Sequence, residues 1–250
     1  MISINGEAVN TLVFPDNTSQ VWKLPDDLPD NVTVQWRYSH EGEVMQLAQL
    51  KDLLDHMGIR AQLDISYLPY ARQDKPVSNS SCFALYTFAR ILNGMSWDWI
   101  TVMDPHSEIA LHEIAQCGAR YPGDRVRALM QEVKADVLCY PDAGALKKYG
   151  KLFNRVSIHG EKVRDQATGM ITSYEILGDC DGERVLIVDD ICDGGATFRL
   201  LAEQLHKAGA EEVFLYVTHG IFSKGVRHLF DAGISRIFTL TDEITRRSMQ

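Results

Sequence analysis

The sequence predicts an α/β protein of two domains, each a mostly parallel sheet flanked by helices. Three observations carry that prediction. Strand-like and helix-like segments alternate along the chain, the rhythm of right-handed βαβ units. Apolar runs such as Val185-Leu186-Ile187-Val188 read as strands buried on both faces. Polar segments fall repeatedly just after strand ends, where an α/β sheet holds its ligands. The 250 residues suit one large or two small domains, since a domain takes ~100–200 residues. The pattern breaks around Tyr121-Pro122-Gly123-Asp124, so the expected domains are 1–123 and 124–250.

Taken in order, Thr11–Phe14, Gln20–Leu24 and Val32–Trp36 read as short strands separated by the turn signals Pro15-Asp16-Asn17 and Pro25 to Asp30. From Glu43 to Met57, apolar Met45, Leu47, Leu50, Leu53 and Leu54 fall at helical spacing, and Gly58 closes the helix. Ile65–Tyr70 is a strand, Cys82–Leu92 a helix and Trp99–Met103 a strand. In the second half, a helix over Arg125–Lys134 precedes a strand at Val137–Tyr140. Val156–His159 is a strand followed by a polar stretch, Gly160 to Gly169, read as a loop. Ile171–Leu177 is expected to form a hairpin with Val185–Val188. An amphipathic helix over Phe198–Lys207, a strand at Glu212–Thr218, a helix after Phe222 and a last strand at Arg236–Leu240 complete the chain.

Composition narrows the function classes. Hydrophobic residues make up 45% and charged residues 24%, ordinary for a globular protein. Such a chain buries roughly 70–75% of its unfolded surface and needs no disulfide or structural metal. No apolar run approaches the ~20 residues that span a bilayer, and the N-terminus lacks the basic start and apolar core of a signal peptide. Five cysteines without a C-x-x-C pair point to a reducing cytoplasm. The net charge of −9 argues against a nucleic-acid partner. It also sits awkwardly with anionic substrates unless a divalent cation such as Mg²⁺ neutralises them.

The richest stretch runs from Arg184 to Phe198. A buried strand ends in Asp189 and Asp190, and a short loop with Asp193, Gly194, Gly195, Ala196 and Thr197 opens a helix. Glycines let backbone N–H groups approach phosphate oxygens, and the helix N-terminus adds positive potential. The two carboxylates are acceptors suited to adjacent sugar hydroxyls, so the stretch reads as a site for a ribose 5-phosphate. Three other strand ends carry chemistry. Arg72, Gln73 and Asp74 follow Tyr70, with Arg72 offering a planar fork to phosphate oxygens. His106 and Asp142, from different loops, are candidate Mg²⁺ ligands beside phosphate and water. Lys162 and Arg164, two apart, point the same way in an extended segment and suit a triphosphate's spreading charge.

The order of these motifs resembles the ribose-phosphate diphosphokinase (PRPP synthetase) family, from about Phe14 to Thr239. Phe14-Pro15-Asp16, Tyr70-Ala71-Arg72-Gln73-Asp74, Asp104-x-His106, Pro141-Asp142-Ala143-Gly144, Lys162-x-Arg164, the Asp189–Thr197 loop and Thr218–Phe222 follow in family order. The resemblance implies two phosphoribosyltransferase-like domains and a Mg²⁺-dependent transfer of diphosphate from ATP to the anomeric hydroxyl of ribose 5-phosphate, giving PRPP and AMP. It implies that Arg72, Gln73, Asp74 and His106 contact ATP, and that Phe14 and Asp16 hold its adenine, often from a neighbouring subunit. His106 and Asp142 would contact Mg²⁺. Asp189 and Asp190 would take the ribose hydroxyls, and Asp193 to Thr197 the 5-phosphate. Lys162 and Arg164 would stabilise the transition state on a closing loop. A homodimer or larger homo-oligomer is implied.

The chain departs from the family pattern at Thr18, where a glutamate is usual, and at Pro105 and Ala145. It also departs at Gly194-Gly195-Ala196, where the family has Thr-Ala-Gly. Two glycines remove a hydroxyl and a methyl from the phosphate wall. A roomier pocket would admit a larger 5-substituted ribose phosphate such as ADP-ribose under the same chemistry. A base phosphoribosyltransferase consuming PRPP is the other alternative, disfavoured by Arg72-Gln73-Asp74 and Lys162-x-Arg164.

Overall fold

The structure, a computed structural model, describes residues 1–153, 155–164 and 171–249, with side chains except at 162–164, 171–173 and 249. It divides into two compact units, Met1–Tyr121 and Pro122–Gln250. None of the described helices is long and apolar enough to cross a membrane.

Unit 1 begins with β1 (Ile2–Ile4), β2 (Glu7–Ala8), β3 (Asn10–Val13), β4 (Ser19–Lys23) and β5 (Asn31–Arg37). Then come α1 (Gly42–His56), β6 (Arg60–Tyr67), α2 (Ala84–Gly94), β7 (Trp99–Met103), α3 (Ile109–Glu113) and β8 (Cys117–Arg120). Its sheet has the order β2-β1-β5-β6-β7-β8, with β5 to β8 parallel and β1 and β2 antiparallel at one edge. β3 and β4 form a separate two-stranded ribbon. That ribbon is tied to α1 because Gln49 accepts the Val21 N–H at 2.9 Å and donates to the Ser19 carbonyl at 2.8 Å.

α1 buries Leu47, Leu50 and Leu54, while Met45 faces out. Gly58 adopts φ +72° just past its end, and Ile59 N–H returns to the Leu54 carbonyl, a glycine-dependent stop. β6 starts five residues earlier than the sequence suggested. Ala61, Leu63 and Ile65 alternate inward while Arg60, Gln62 and Asp64 mask the strand with polar side chains. α3 and β8, five and four residues long, are too short to show a periodic pattern in the sequence.

Unit 2 contains α4 (Gly123–Glu132), β9 (Val137–Tyr140), α5 (Ala143–Phe153), β10 (Ser157–Arg164), β11 (Ile171–Leu177) and β12 (Arg184–Cys192). It continues through α6 (Ala196–Lys207), β13 (Glu212–Gly220), α7 (Arg227–Asp231), β14 (Ile234–Phe238) and β15 (Glu243–Thr245). The sheet order is β11-β10-β9-β12-β13-β14-β15, parallel from β10 to β14 with an antiparallel strand at each edge.

Two expectations are corrected here. β11 pairs with β10, not with β12, because β12 is already flanked by β9 and β13. The stretch from Gly160 to Arg164 is strand rather than loop, since its backbone continues β10 alongside β11.

Period-2 alternation splits the apolar side chains of the central strands between two cores. Leu138, Tyr140, Leu186, Val188, Phe214 and Tyr216 pack with α4 and α5. Cys139, Val185, Ile187, Val213 and Leu215 pack with α6 on the other face. Each face buries a continuous apolar layer, which is why these strands read as unbroken hydrophobic runs.

Candidate functional site

In unit 2 the chemistry lies at a fork in the sheet. β9 and β12 are neighbours, yet α5, which follows β9, covers one face and α6, which follows β12, covers the other. The chain diverges at their C-terminal ends, and open α/β sheets hold ligands in the crevice such a divergence leaves.

Asp142, Asp189 and Asp190 stand at this fork. Asp142 follows β9 and caps α5, its Oδ1 accepting the Ala145 N–H at 3.0 Å. By alternation Asp190 joins Leu186 and Val188 on the α5 face, and Asp189 takes the α6 side. Asp190 is buried, and its Oδ2 accepts from Lys148 Nζ at 3.2 Å. Asp189 Oδ1 accepts the Asp190 N–H at 2.9 Å. Burial, and then the adjacent negative charge of Asp190, push the Asp189 carboxyl well above the usual carboxylate range.

The predicted phosphate loop is shaped by Gly195, which has φ +72° immediately before α6. A Cβ there would lie 2.6 Å from His228 Nε2 and 3.0 Å from Leu229 Cδ2. Gly195 therefore widens nothing, because His228 and Leu229 already fill the space beside it. A Cβ on Gly194 would meet only the Lys224 arm, at 3.6 Å, so that position alone has room for a side chain. The loop after β13 braces the phosphate loop. Ser223 Oγ donates to Asp193 Oδ1 at 2.6 Å, and the N–H groups of Ile221 and Phe222 both donate to the Cys192 carbonyl. Ala196 and Thr197 form the first turn of α6, whose leading N–H groups lack partners within the helix.

The predicted nucleotide residues of unit 1 lie at loop tips. Phe14 and Asp16 sit at the end of the β3–β4 ribbon, outside the main sheet, and Phe14 is 42% exposed. Asp16 Oδ1 accepts both the Thr18 hydroxyl at 2.7 Å and the Thr18 N–H at 3.0 Å, which holds its carboxyl below the usual range. Arg72 and Gln73 are exposed and Asp74 half-buried on the loop after β6. That loop hangs from Tyr70, a non-glycine residue at φ +64°. The Tyr70 hydroxyl donates to Glu41 Oε1 at 2.6 Å, and its ring packs on Phe88 at 5.1 Å. The Glu41 contact pushes the Tyr70 phenol up to about 12. His106 is exposed on the loop after β7. Since β6 and β7 are adjacent and parallel, Arg72–Asp74 and His106 share the C-terminal edge of this sheet.

Lys162 and Arg164 have their backbone in β10, but their side chains lie outside the described residues. Among the described residues no group of three or more His, Cys, Asp or Glu converges to hold a metal. One residue at the fork carries no signal in the sequence, Lys148, which meets Asp190. Its helix was not read because Gly144 and Gly150 weaken the helical pattern.

Comparison with known proteins places these features. Residues 130–245 match the phosphoribosyl transferase domain family. Ribose-phosphate pyrophosphokinase from Pyrococcus abyssi is 25% identical over 99% of this chain and 90% of its own length. The Pyrococcus furiosus protein of the same name is 29% identical over 92% of this chain and 82% of its own. Phosphoribosylpyrophosphate synthetase from Mycobacterium smegmatis shares the fold, with TM-score 0.77 and 21% identity over 93% of this chain and 79% of that one. Similarity along the whole chain, a matching fold and a phosphoribosyl transferase domain over residues 130–245 converge: the chain is similar to the ribose-phosphate pyrophosphokinases (PRPP synthetases).

Proposed function

We propose that the protein transfers diphosphate from ATP to the anomeric hydroxyl of ribose 5-phosphate, giving PRPP and AMP. The observation that carries this reading is the end of β12. There two adjacent carboxylates, a left-handed glycine and the start of α6 follow one another in the order that a ribose diol and its 5-phosphate require. Asp189 and Asp190 accept the ribose hydroxyls. Asp193 to Thr197 wrap the 5-phosphate with backbone donors. Arg72, Gln73 and His106 receive the ATP phosphates, Asp74 helps position the nucleotide, and Phe14 and Asp16 hold the adenine.

The anomeric oxygen attacks the β-phosphorus, the bond from that phosphorus to the α,β-bridging oxygen breaks, and AMP leaves. Catalysis of such a transfer is positioning plus charge stabilisation. Lys162 and Arg164 are the cations assigned to the transferring group. Asp142 and His106 fit the donors of a Mg²⁺ ion carried by the triphosphate, because that ion keeps several waters and takes only one or two protein ligands beside phosphate oxygens. When bound, it neutralises phosphate charge, which a chain of net charge −9 otherwise opposes. We assign the protein to the cytoplasm and to a homodimer or larger homo-oligomer, on the reading of its cysteines and its family.

The test is a mass-resolved product assay with ATP, Mg²⁺ and either ribose 5-phosphate or ADP-ribose. AMP and PRPP from ribose 5-phosphate are expected. Use of ADP-ribose faster by orders of magnitude would change the acceptor while keeping the chemistry. Consumption of PRPP with a free base, without AMP release from ATP, would replace the reading by a base phosphoribosyltransferase.

A further inference from the structure

We infer that Lys148 is a positioning residue for the sugar acceptor, holding the Asp190 carboxylate in the orientation that receives the ribose hydroxyls; this rests on the phosphoribosyl reading of the β12 end. Lys148 reaches the site from α5, the helix capped by Asp142, and meets Asp190 on the sheet face that α5 covers. Its Nζ lies 3.2 Å from Asp190 Oδ2, with the two side chains only 16% and 7% exposed. The ammonium also sits 5.0 Å from the Tyr149 ring centroid, and Tyr149 is fully buried and stacked on Tyr140 at 6.4 Å. A packed aromatic pair thus fixes the helix segment that fixes the cation.

Burying an ion pair brings little net stability, because desolvation offsets the attraction, and pinning a lysine costs side-chain entropy. An apolar pair would stabilise this spot at least as well. What the charged pair adds is geometry. A carboxylate that must accept from two adjacent hydroxyls has to be presented edge-on in one rotamer, and a cation on one oxygen removes its freedom to turn. The Lys148 charge also counters the repulsion that Asp190 and Asp142 exert on Asp189, so that the acidic pair keeps its place before a sugar arrives.

The test is initial-rate kinetics on wild type, Lys148→Gln, Lys148→Arg, Asp190→Asn and the Asp190→Asn/Lys148→Gln double variant, with calorimetric binding of ribose 5-phosphate. Displacing a group that orients substrate costs about ten- to a hundredfold. Lys148→Gln is therefore expected to raise the KM for ribose 5-phosphate at least about tenfold and to leave the KM for ATP within about twofold. Lys148→Arg, which keeps a cation at this spot, should recover most of the loss. On the Asp190→Asn background, Lys148→Gln should change the ribose 5-phosphate KM by less than about twofold, since the interaction it removes is already gone. Equal shifts in both KM values, no shift in either, or an undiminished penalty on the Asp190→Asn background would overturn the inference. Should Lys148→Gln alone fail to fold, the double variant, which leaves no unpaired buried charge, and Lys148→Arg decide. A wild-type chain that neither binds ribose 5-phosphate nor releases AMP would overturn the underlying reading instead.

Discussion

The two units present their chemistry in opposite ways. In unit 2 it is set into the interior. Asp190 is buried against Lys148, Gly195 is wedged against His228 and Leu229, and Asp193 is tied to Ser223. In unit 1 it is displayed at tips. Phe14 ends a two-stranded ribbon, Arg72 and Gln73 are exposed beyond Tyr70, and His106 is exposed after β7. A group embedded in packing is oriented before its ligand arrives, whereas an exposed side chain has fewer packed neighbours to fix it, and fixing an arginine fully costs up to about 1.5–2 kcal/mol. Function and stability should therefore be coupled in unit 2 and separable in unit 1.

The largest expected effect tests the separable side. On the proposed assignment Arg72→Ala removes one charged donor from the ATP phosphates, and losing one such electrostatic group costs on the order of 10²–10³ in kcat/KM. The melting temperature should barely change, because an exposed substitution away from packed features stays within about 0.5 kcal/mol. Calorimetric melting beside ATP-dependent AMP release checks both halves. A large drop in stability would show that the Arg72 loop is as embedded as the β12 end.

The coupled side is tested next. Gly195→Ala forces a Cβ into a left-handed conformation and to 2.6 Å from His228 Nε2. Destabilisation of about 2–3 kcal/mol is expected, together with lost ribose 5-phosphate binding. Denaturant titration and calorimetry would measure the two losses, and a stable variant that merely binds poorly would break the coupling.

Asp189→Asn is smaller and runs the other way. The folded protein holds the Asp189 carboxyl well above its unfolded value, so the protonated form is favoured by folding. That favourable contribution is fully present below about pH 3.9 and is lost as pH rises through the folded value, so the group costs stability as the pH rises from acid towards neutral. Asparagine keeps an acceptor for the Asp190 N–H without the charge. The variant should melt higher at neutral pH, by roughly 2–4 °C per kcal/mol relieved, with the gain shrinking towards acid pH. Ribose binding should fall, and a lower melting temperature at neutral pH would show that the carboxylate is stabilised after all.

What could be read in the sequence follows the same division. β7 and β9 were legible to the residue, since Trp99–Met103 and Val137–Tyr140 are compact strand patterns between turn signals. The strand–loop–helix geometry from β12 to α6 was legible because its requirements are local, a strand end, glycines and a helix start. The partners that complete it were not. Lys148 reaches Asp190 from 42 residues away, and His228 and Leu229 close on Gly195 from a later helix. Such contacts are created by strand order, which sequence periodicity does not encode. For the same reason Gly194 and Gly195 looked alike in sequence, yet only Gly194 has space beside it.

Thr18 is where the contrast between the units meets its mildest test. The position departs from the family pattern, and its side chain does not point idly into solvent. The hydroxyl and the backbone N–H both hold Asp16 Oδ1, so that the ribbon tip carries a small device of its own for fixing a carboxylate. Thr18→Val keeps the shape and the N–H and removes only the hydroxyl donor. If the tip is ordered chiefly by the arriving nucleotide, losing that one solvent-exposed hydrogen bond should raise the KM for ATP about two- to fivefold, with kcat and the KM for ribose 5-phosphate unchanged. Steady-state kinetics with each substrate varied in turn reads this directly. A loss approaching that of Arg72→Ala would mean that Asp16 is already set in its binding orientation. Preorganisation would then belong to both units, achieved by burial in one and by a two-residue hydrogen-bonded turn in the other.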